Sequence, residues 1–165
     1  MKKLLNVIIA CAFTFNLASC GGGGGSSSSS STPSSCSSGS SANSGSSSVT
    51  SLIINPITPG TGPLAVTGDS LTVNYTGWLY DSSATNFEGT EFDSSLAAGR
   101  QPFTFTLGGN VIAGWNQGLV GVQAGGTYTL TIPSSLGYGS CPAVGSPIPP
   151  NSALVFSVTV ISITP

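Results

Sequence analysis

The sequence predicts an α+β fold: an antiparallel β-sheet whose apolar face is covered by one short helix. Three observations lead there. Apolar and polar residues alternate with period two in several separate stretches, as half-buried strands require. One segment among them carries its apolar residues at helical spacing instead. Clusters of Gly, Pro, Asn and Asp punctuate the intervals, and the chain shows no internal repeat. Alternating strands around a single helix favour antiparallel pairing.

Taken in order, Leu52-Ile53-Ile54 opens a strand that Asn55-Pro56 interrupts. Thr58-Pro59-Gly60-Thr61-Gly62-Pro63 is strong turn chemistry, and Gly68-Asp69 marks a second turn. Leu71, Val73 and Tyr75 alternate with Thr72, Asn74 and Thr76, and this strand continues through Gly77-Trp78-Leu79-Tyr80. Residues 81–91 read as a polar loop around Asn86 and Gly89. Its acids lack the ordered oxygen ligands of a helix–loop–helix calcium site, so they read as solvated charge. Phe92-Asp93-Ser94-Ser95 comes next. Phe103, Phe105 and Leu107 then alternate with Thr104 and Thr106.

The helical segment begins at Val111-Ile112-Ala113-Gly114-Trp115. Ile112, Trp115 and Leu119 fall at i, i+3 and i+7 and form one apolar face. Gly114, Gly118 and Gly121 each cost about 1 kcal/mol relative to Ala inside a helix. A helix this short is marginal alone, so packing against the strands must hold it. By itself, the segment reads as a core Trp under a sheet. After it, Gly125-Gly126 turns the chain, and Tyr128, Leu130 and Ile132 alternate with Thr127, Thr129 and Thr131. A loop over 133–151 contains Leu136-Gly137-Tyr138-Gly139 and ends Pro147-Ile148-Pro149-Pro150. The last strand places Phe156, Val158 and Val160 on one face, with Ser157 and Thr159 opposite.

Ahead of this domain the chain starts Met1-Lys2-Lys3 and runs apolar to Ala18. A basic start with a short apolar core is the pattern of a secretory signal, and it is too short and too interrupted by Asn6 and Asn16 for a spanning anchor. Leu17-Ala18-Ser19-Cys20 resembles the lipobox of bacterial lipoproteins, which implies cleavage before Cys20 and fatty acylation (palmitate) of its sulfur. The competing reading is an ordinary signal with a chance Cys. Gly21 follows the Cys, and in the pattern of diderm lipoproteins the absence of Asp there implies the outer membrane, on its periplasmic or surface face. Residues 21–48 are almost entirely Gly and Ser and cannot bury enough apolar surface to fold. Such a coil spans about 30 Å and would lift a domain off a membrane. The expected organisation is therefore a signal peptide over 1–19, a lipidated tether over 20–48 and one folded domain over 49–165.

Composition narrows the function. Without the leader, Arg100 is the only basic side chain, against Asp69, Asp81, Glu88, Glu91 and Asp93. Nothing there can neutralise phosphates, which argues against nucleic acid and against electrostatic docking on anionic lipid. The chain has no His, which removes Ser-His-Asp and Cys-His triads and His-based zinc sites. No metal and no cofactor is expected. Of four cysteines, Cys11 lies in the leader and Cys20 would be acylated, leaving Cys36 and Cys141. A flexible tether permits a Cys36–Cys141 bridge in an oxidising compartment; the competing reading is two unpaired or intermolecular thiols.

Seven segments occur in a recognisable order: Val73-Asn74-Tyr75-Thr76-Gly77, Phe92-Asp93-Ser94-Ser95, Pro102-Phe103-Thr104-Phe105, Val111-Ile112-Ala113-Gly114-Trp115, Gly137-Tyr138-Gly139, Ile148-Pro149-Pro150 and Leu154-Val155-Phe156. With them, the chain from about residue 52 onward resembles the FKBP-type peptidyl-prolyl cis-trans isomerases, the macrolide-binding immunophilins. The resemblance implies a curved antiparallel sheet wrapped around one short helix, with an aromatic pocket between them. By motif, Tyr75, Phe92, Phe103 and Phe156 would wall the pocket, Val111 and Ile112 form its rim and Trp115 its floor. Asp93 and Tyr138 would be its polar groups and Ile148 part of a flap.

Elementary chemistry gives these residues a task that needs no nucleophile. Rotation about an Xaa–Pro bond faces a barrier of about 18–20 kcal/mol because twisting ends amide resonance. The twisted amide is less polar than the planar one, so a dry aromatic pocket favours it. The prolyl ring would sit on Trp115, while the Ile112 N–H and the Tyr138 hydroxyl hold substrate carbonyls. Asp93 would orient the pocket through Arg100 or Tyr75, since isomerisation breaks no bond to hydrogen. For Tyr75 and Phe105, plain core packing fits as well. The sequence departs from the family pattern at the rim. The connection before Phe92 is longer than in short members, the Asp93-to-Pro102 segment is a residue longer, Cys141 stands in the loop before Ile148, and Pro147 precedes it. The expected function is a monomeric, envelope-anchored isomerase that assists folding of exported proteins, acts on Xaa–Pro segments and is open to macrolide inhibitors. The alternatives are a non-catalytic binding module or chaperone for Pro-containing segments, and a surface lipoprotein acting on host proteins.

Overall fold

The computed structural model describes residues 44–143 and 145–165. The leader, Cys20 with its proposed lipid, Cys36 and most of the Gly/Ser stretch lie outside the described residues. Six strands and one α-helix run in the order β1 (Ile53–Thr58), β2 (Ser70–Tyr80), β3 (Glu88–Ser94), β4 (Phe103–Thr106), α1 (Ala113–Gly118), β5 (Thr127–Ile132) and β6 (Leu154–Thr164). All pairings are antiparallel. The sheet order is β1-β5-β6-β2-β3, and β4 also pairs with β2. β3 lies along the Thr76–Tyr80 end of β2 and β4 along its Ser70–Val73 end, so two short strands share one edge of a long one.

The alternation puts one set of side chains on the helix side. Leu71, Val73 and Tyr75 of β2, Leu130 and Ile132 of β5, and Phe156, Val158 and Val160 of β6 are buried there together with Trp115 and Leu119. Each fully buried aliphatic or aromatic side chain contributes roughly 1.5–3 kcal/mol, which is how a glycine-containing helix of six residues persists. Its glycines also have a packing reason. A Cβ at Gly114 would lie 2.5 Å from Ile132 Cγ2, and one at Gly118 would lie 2.7 Å from Leu130 Cδ2. The helix costs its glycines and in return its backbone rests directly on β5.

Three sequence expectations need correction. The first strand does not stop at Asn55-Pro56: β1 runs through both, with Pro56 opposite Tyr128 and a bulge before Thr58. β1 is the edge of the sheet, so the missing N–H of Pro56 leaves no neighbour unpaired. Residues 81–91 are not loop throughout. A 3-10 turn spans Thr85–Phe87 and β3 begins at Glu88, with Glu88 opposite Tyr80 and Glu91 opposite Trp78. Two register shifts in that ladder hid its alternation from a strict period of two. Finally, packing starts before residue 49. Ser46 is buried, its Oγ accepts from the Ala153 N–H at 3.1 Å, and Ser82 N–H donates to the Ser44 carbonyl at 3.1 Å.

Candidate active site

The aromatic residues that the sequence singles out meet around Trp115. Its ring is met edge-on by Tyr75 at 5.4 Å, Phe156 at 5.4 Å and Phe103 at 6.1 Å between centroids. Phe105 leans on it at 5.3 Å and stacks on Phe103 at 5.6 Å. Phe92 extends the cluster through an edge contact with Phe156 at 5.6 Å. Each such ring pair adds about 0.5–1.5 kcal/mol beyond area burial. Ile112 and Ile148 are buried in the same cluster, and Val111 and Tyr138 pack on it half-buried. Strands β2, β3, β4 and β6, helix α1 and the loop before β6 therefore bring all the expected apolar site residues to one place.

Trp115 occupies that place differently from a bare floor. It is fully buried, and its Nε1–H has no hydrogen-bond partner among the described residues. The half-exposed aromatic surface belongs to Phe92, Phe103 and Tyr138.

Gly77 explains how the walls close. A Cβ there would lie 2.7 Å from both the Phe156 and the Phe92 rings. A glycine inside a strand marks such a close approach, so the sequence itself carries a signal for this contact. Phe105 is also readable as a site residue, being two positions from Phe103 on one strand face. Asn116 is not. Its Oδ1 accepts from the Gly108 N–H at 2.7 Å, and its Nδ2 donates to the carbonyls of Gly109 at 3.0 Å and Val111 at 3.4 Å. It thereby fixes the loop that delivers Val111 and Ile112, a tertiary role that local sequence does not announce.

The polar side of the site is a closed network. Tyr75 donates its hydroxyl hydrogen to Asp93 Oδ2 at 2.5 Å, and the Arg100 guanidinium pairs with Asp93 Oδ1. Arg100 also reaches the Tyr75 oxygen at 3.5 Å. Both Asp93 oxygens are thus engaged, which suits an orienting role and not proton abstraction. Burial, reinforced by the Asp93 carboxylate that accepts its hydrogen, pushes the Tyr75 hydroxyl well above its ordinary pKa. Tyr75 therefore stays a neutral donor throughout the physiological range. Burial works against the Arg100 charge, but the adjacent Asp93 outweighs it and holds the guanidinium's pKa up.

One backbone donor is available at the helix start. Ile112 caps α1, and its carbonyl accepts from Trp115 and Asn116. Its own N–H makes no hydrogen bond among the described residues. At the far side of the loop, Cys141 is disulfide-bonded, so the reading of an unpaired Cys141 is set aside. Cys36, the partner that a flexible tether permits, lies outside the described residues.

Residues 62–161 match the family model for FKBP-type peptidyl-prolyl cis-trans isomerases. The chain belongs to that family. It is 48% identical over 114 residues to an FK506-binding protein of Neisseria meningitidis serogroup A, covering 68% of this chain and 96% of that one. It is 40% identical over 118 residues to the FKBP-type isomerase FkpA of Escherichia coli K12, covering 72% of this chain and 40% of FkpA. Among solved structures, Escherichia coli FkpA aligns with a TM-score of 0.60 at 39% identity, over 70% of this chain and 49% of the other. A Pseudomonas syringae peptidyl-prolyl isomerase aligns with a TM-score of 0.57 at 33% identity, over 69% and 76%. Such identities carry the enzyme class as well as the fold. This FKBP domain is a peptidyl-prolyl cis-trans isomerase with a role in protein folding, and its six antiparallel strands and one short helix are the family's architecture.

Proposed function

We propose that the chain isomerises Xaa–Pro bonds of exported polypeptides at the aromatic cluster around Trp115. The observation that carries this is the Ile112 N–H, a donor with no hydrogen bond among the described residues, on a residue that shares one apolar cluster with half-exposed Phe103 and Phe92. A prolyl ring packs against half-exposed Phe92 and Phe103, with buried Phe156 and Trp115 behind them, in the space bounded by Val111, Ile112 and Ile148. The carbonyl next to the prolyl nitrogen turns into the apolar wall, and the Ile112 N–H and Tyr138 hydroxyl hold flanking carbonyls. Loss of resonance lowers the polarity of the amide as it twists, so a low-polarity wall favours the twisted form over the planar one. Tyr75, Asp93 and Arg100 keep the wall in place and exchange no proton with substrate. Macrolides that present a proline-like ring and neighbouring carbonyls fit the same donors and rings.

The leader and the lipobox-like Leu17-Ala18-Ser19-Cys20 support export and anchoring through a lipidated Cys20, with the domain held off the envelope as a monomer. The test is the cis-to-trans rate of a short Xaa–Pro peptide with the purified chain, alongside Tyr138→Phe. Acceleration by the parent that falls about tenfold in Tyr138→Phe supports this site, since one hydrogen bond to a substrate carbonyl is worth that much. An unchanged rate in Tyr138→Phe removes that residue from the mechanism. Tight peptide binding without acceleration favours the non-catalytic binding module.

A further inference from the structure

The side of the sheet that faces away from α1 carries a groove of about 530 Å³. Its floor is a row of hydroxyls, Thr127, Thr129 and Thr131 of β5 and Ser157 of β6. One wall is the outward face of β1, where Ile53 and Ile57 are 47% and 63% exposed. The other end is closed by Phe87 stacked on Tyr80, with ring planes 14° apart and centroids 5.2 Å apart. Ser48 and Val49 line it where the chain enters the domain.

Two features separate this groove from ordinary surface. Phe87 keeps 46% of its surface exposed although its backbone sits at φ 62°, a left-handed conformation unfavourable for an aromatic residue. One face of that ring covers buried Tyr80 and the rest stays open to the groove, and the turn from Asp81 to Phe87 is braced to hold it: Asp81 N–H donates to the Phe87 carbonyl and Phe87 N–H to the Ala84 carbonyl. The second feature is charge. Glu88 lines the groove beside Phe87, and Glu91 lies further along the same strand opposite Trp78. Among the described residues the one cation is Arg100, which is committed to Asp93. Glu88 and Glu91 thus have no cationic partner among the described residues.

We propose that this groove is a second polypeptide-docking surface, distinct from the isomerase site, which takes an extended segment with aliphatic side chains and a Lys or Arg at one end. The aliphatic side chains lie between Ile57 and Phe87, the backbone bonds to the threonine hydroxyls, and the cation meets Glu88. The acidic rim fits a basic segment and repels phosphate. Edge strand β1, six residues long, gives an extended chain about 20 Å of wall. Docking here leaves a client's prolyl bonds free to visit the opposite side of the domain.

The test is fluorescence anisotropy of a labelled, proline-free peptide of two lysines followed by alternating isoleucine and threonine, titrated with the full chain. We expect saturable binding that an excess of Xaa–Pro peptide does not displace. Phe87→Gly removes the ring at a backbone angle glycine adopts freely, and Ile57→Ser removes the opposite wall. Each is expected to weaken binding about tenfold, as loss of an aromatic or aliphatic anchor typically does, with prolyl isomerisation unchanged as the sign of an intact fold. Glu88→Gln should weaken binding mainly at low salt. Absence of binding, displacement by the Xaa–Pro peptide, or indifference to both Phe87→Gly and Ile57→Ser would overturn the proposal. So would a concentration-dependent dimer abolished by Ile57→Ser, which would give the groove to a second copy.

Discussion

On the helix side of the sheet, Tyr75, Phe103 and Phe156 close over Trp115; on the opposite side, half-buried Thr127, Thr129 and Ser157 line an open groove. The same strands build both, because neighbouring residues point to opposite faces. The helix side is dense and specified ring by ring. The other is covered only in part, where Val49 and Trp78 pack on Tyr80, Ala153 and Val155. Density holds donors such as the Ile112 N–H in fixed positions. Openness leaves side chains whose loss the fold tolerates.

That contrast is sharpest in truncation. Trp115→Ala should lower unfolding free energy by about 3–5 kcal/mol in urea titration, the usual cost of an emptied aromatic core site. Ile57→Ala on the opposite face should stay within about 0.5 kcal/mol. Equal losses would erase the distinction. Gly77→Ala comes next: its Cβ lies 2.7 Å from two rings, so stability should fall by about 1–3 kcal/mol through overpacking. Because it pushes apart Phe92 and Phe156, kcat/KM should fall further than Ile57→Ala lowers it.

The smallest expected effect is electrostatic. Burial and Asp93 raise the Tyr75 pKa from its ordinary 10.0. A folded pKa above the unfolded one contributes stability that is full below the unfolded pKa and is lost as pH rises beyond it. The parent should therefore lose stability above about pH 10, and Tyr75→Phe should lose less over the same range, because its share of that slope is gone. Urea midpoints from pH 8 to about 11 for the pair, bracketing the ordinary tyrosine range, provide the measurement. Parallel curves would mean that Tyr75 does not report on the network.

Much of this was legible in the sequence, for physical reasons that differ by region. Strands β2, β4, β5 and β6 each bury one face, so period-two alternation marked Tyr75, Phe103, Leu130 and Phe156 directly. Pro56 misled because its effect depends on whether a strand lies at an edge, which is a property of the assembled sheet. β3 was missed because its ladder shifts register twice. The aromatic site residues followed from motif order. Asn116 did not, because its partners Gly108, Gly109 and Val111 are joined to it only by the fold. The burial of Trp115 was legible as a core Trp under a sheet, but its enclosure by Tyr75, Phe103, Phe105 and Phe156 was not, since those rings converge from three strands that only the fold brings together.

In the proposed mechanism the Ile112 N–H holds the substrate. Ile112 has φ −57°, the angle proline fixes, so Ile112→Pro deletes the donor with little change of backbone, whereas Ile112→Ala deletes only the side chain. The decisive measurement is kcat/KM on one Xaa–Pro peptide for these two variants, with folding checked by circular dichroism. The prediction is that Ile112→Pro falls at least about tenfold below Ile112→Ala, the worth of one hydrogen bond made in the transition state. Equal rates in two folded variants would remove the Ile112 N–H from the mechanism.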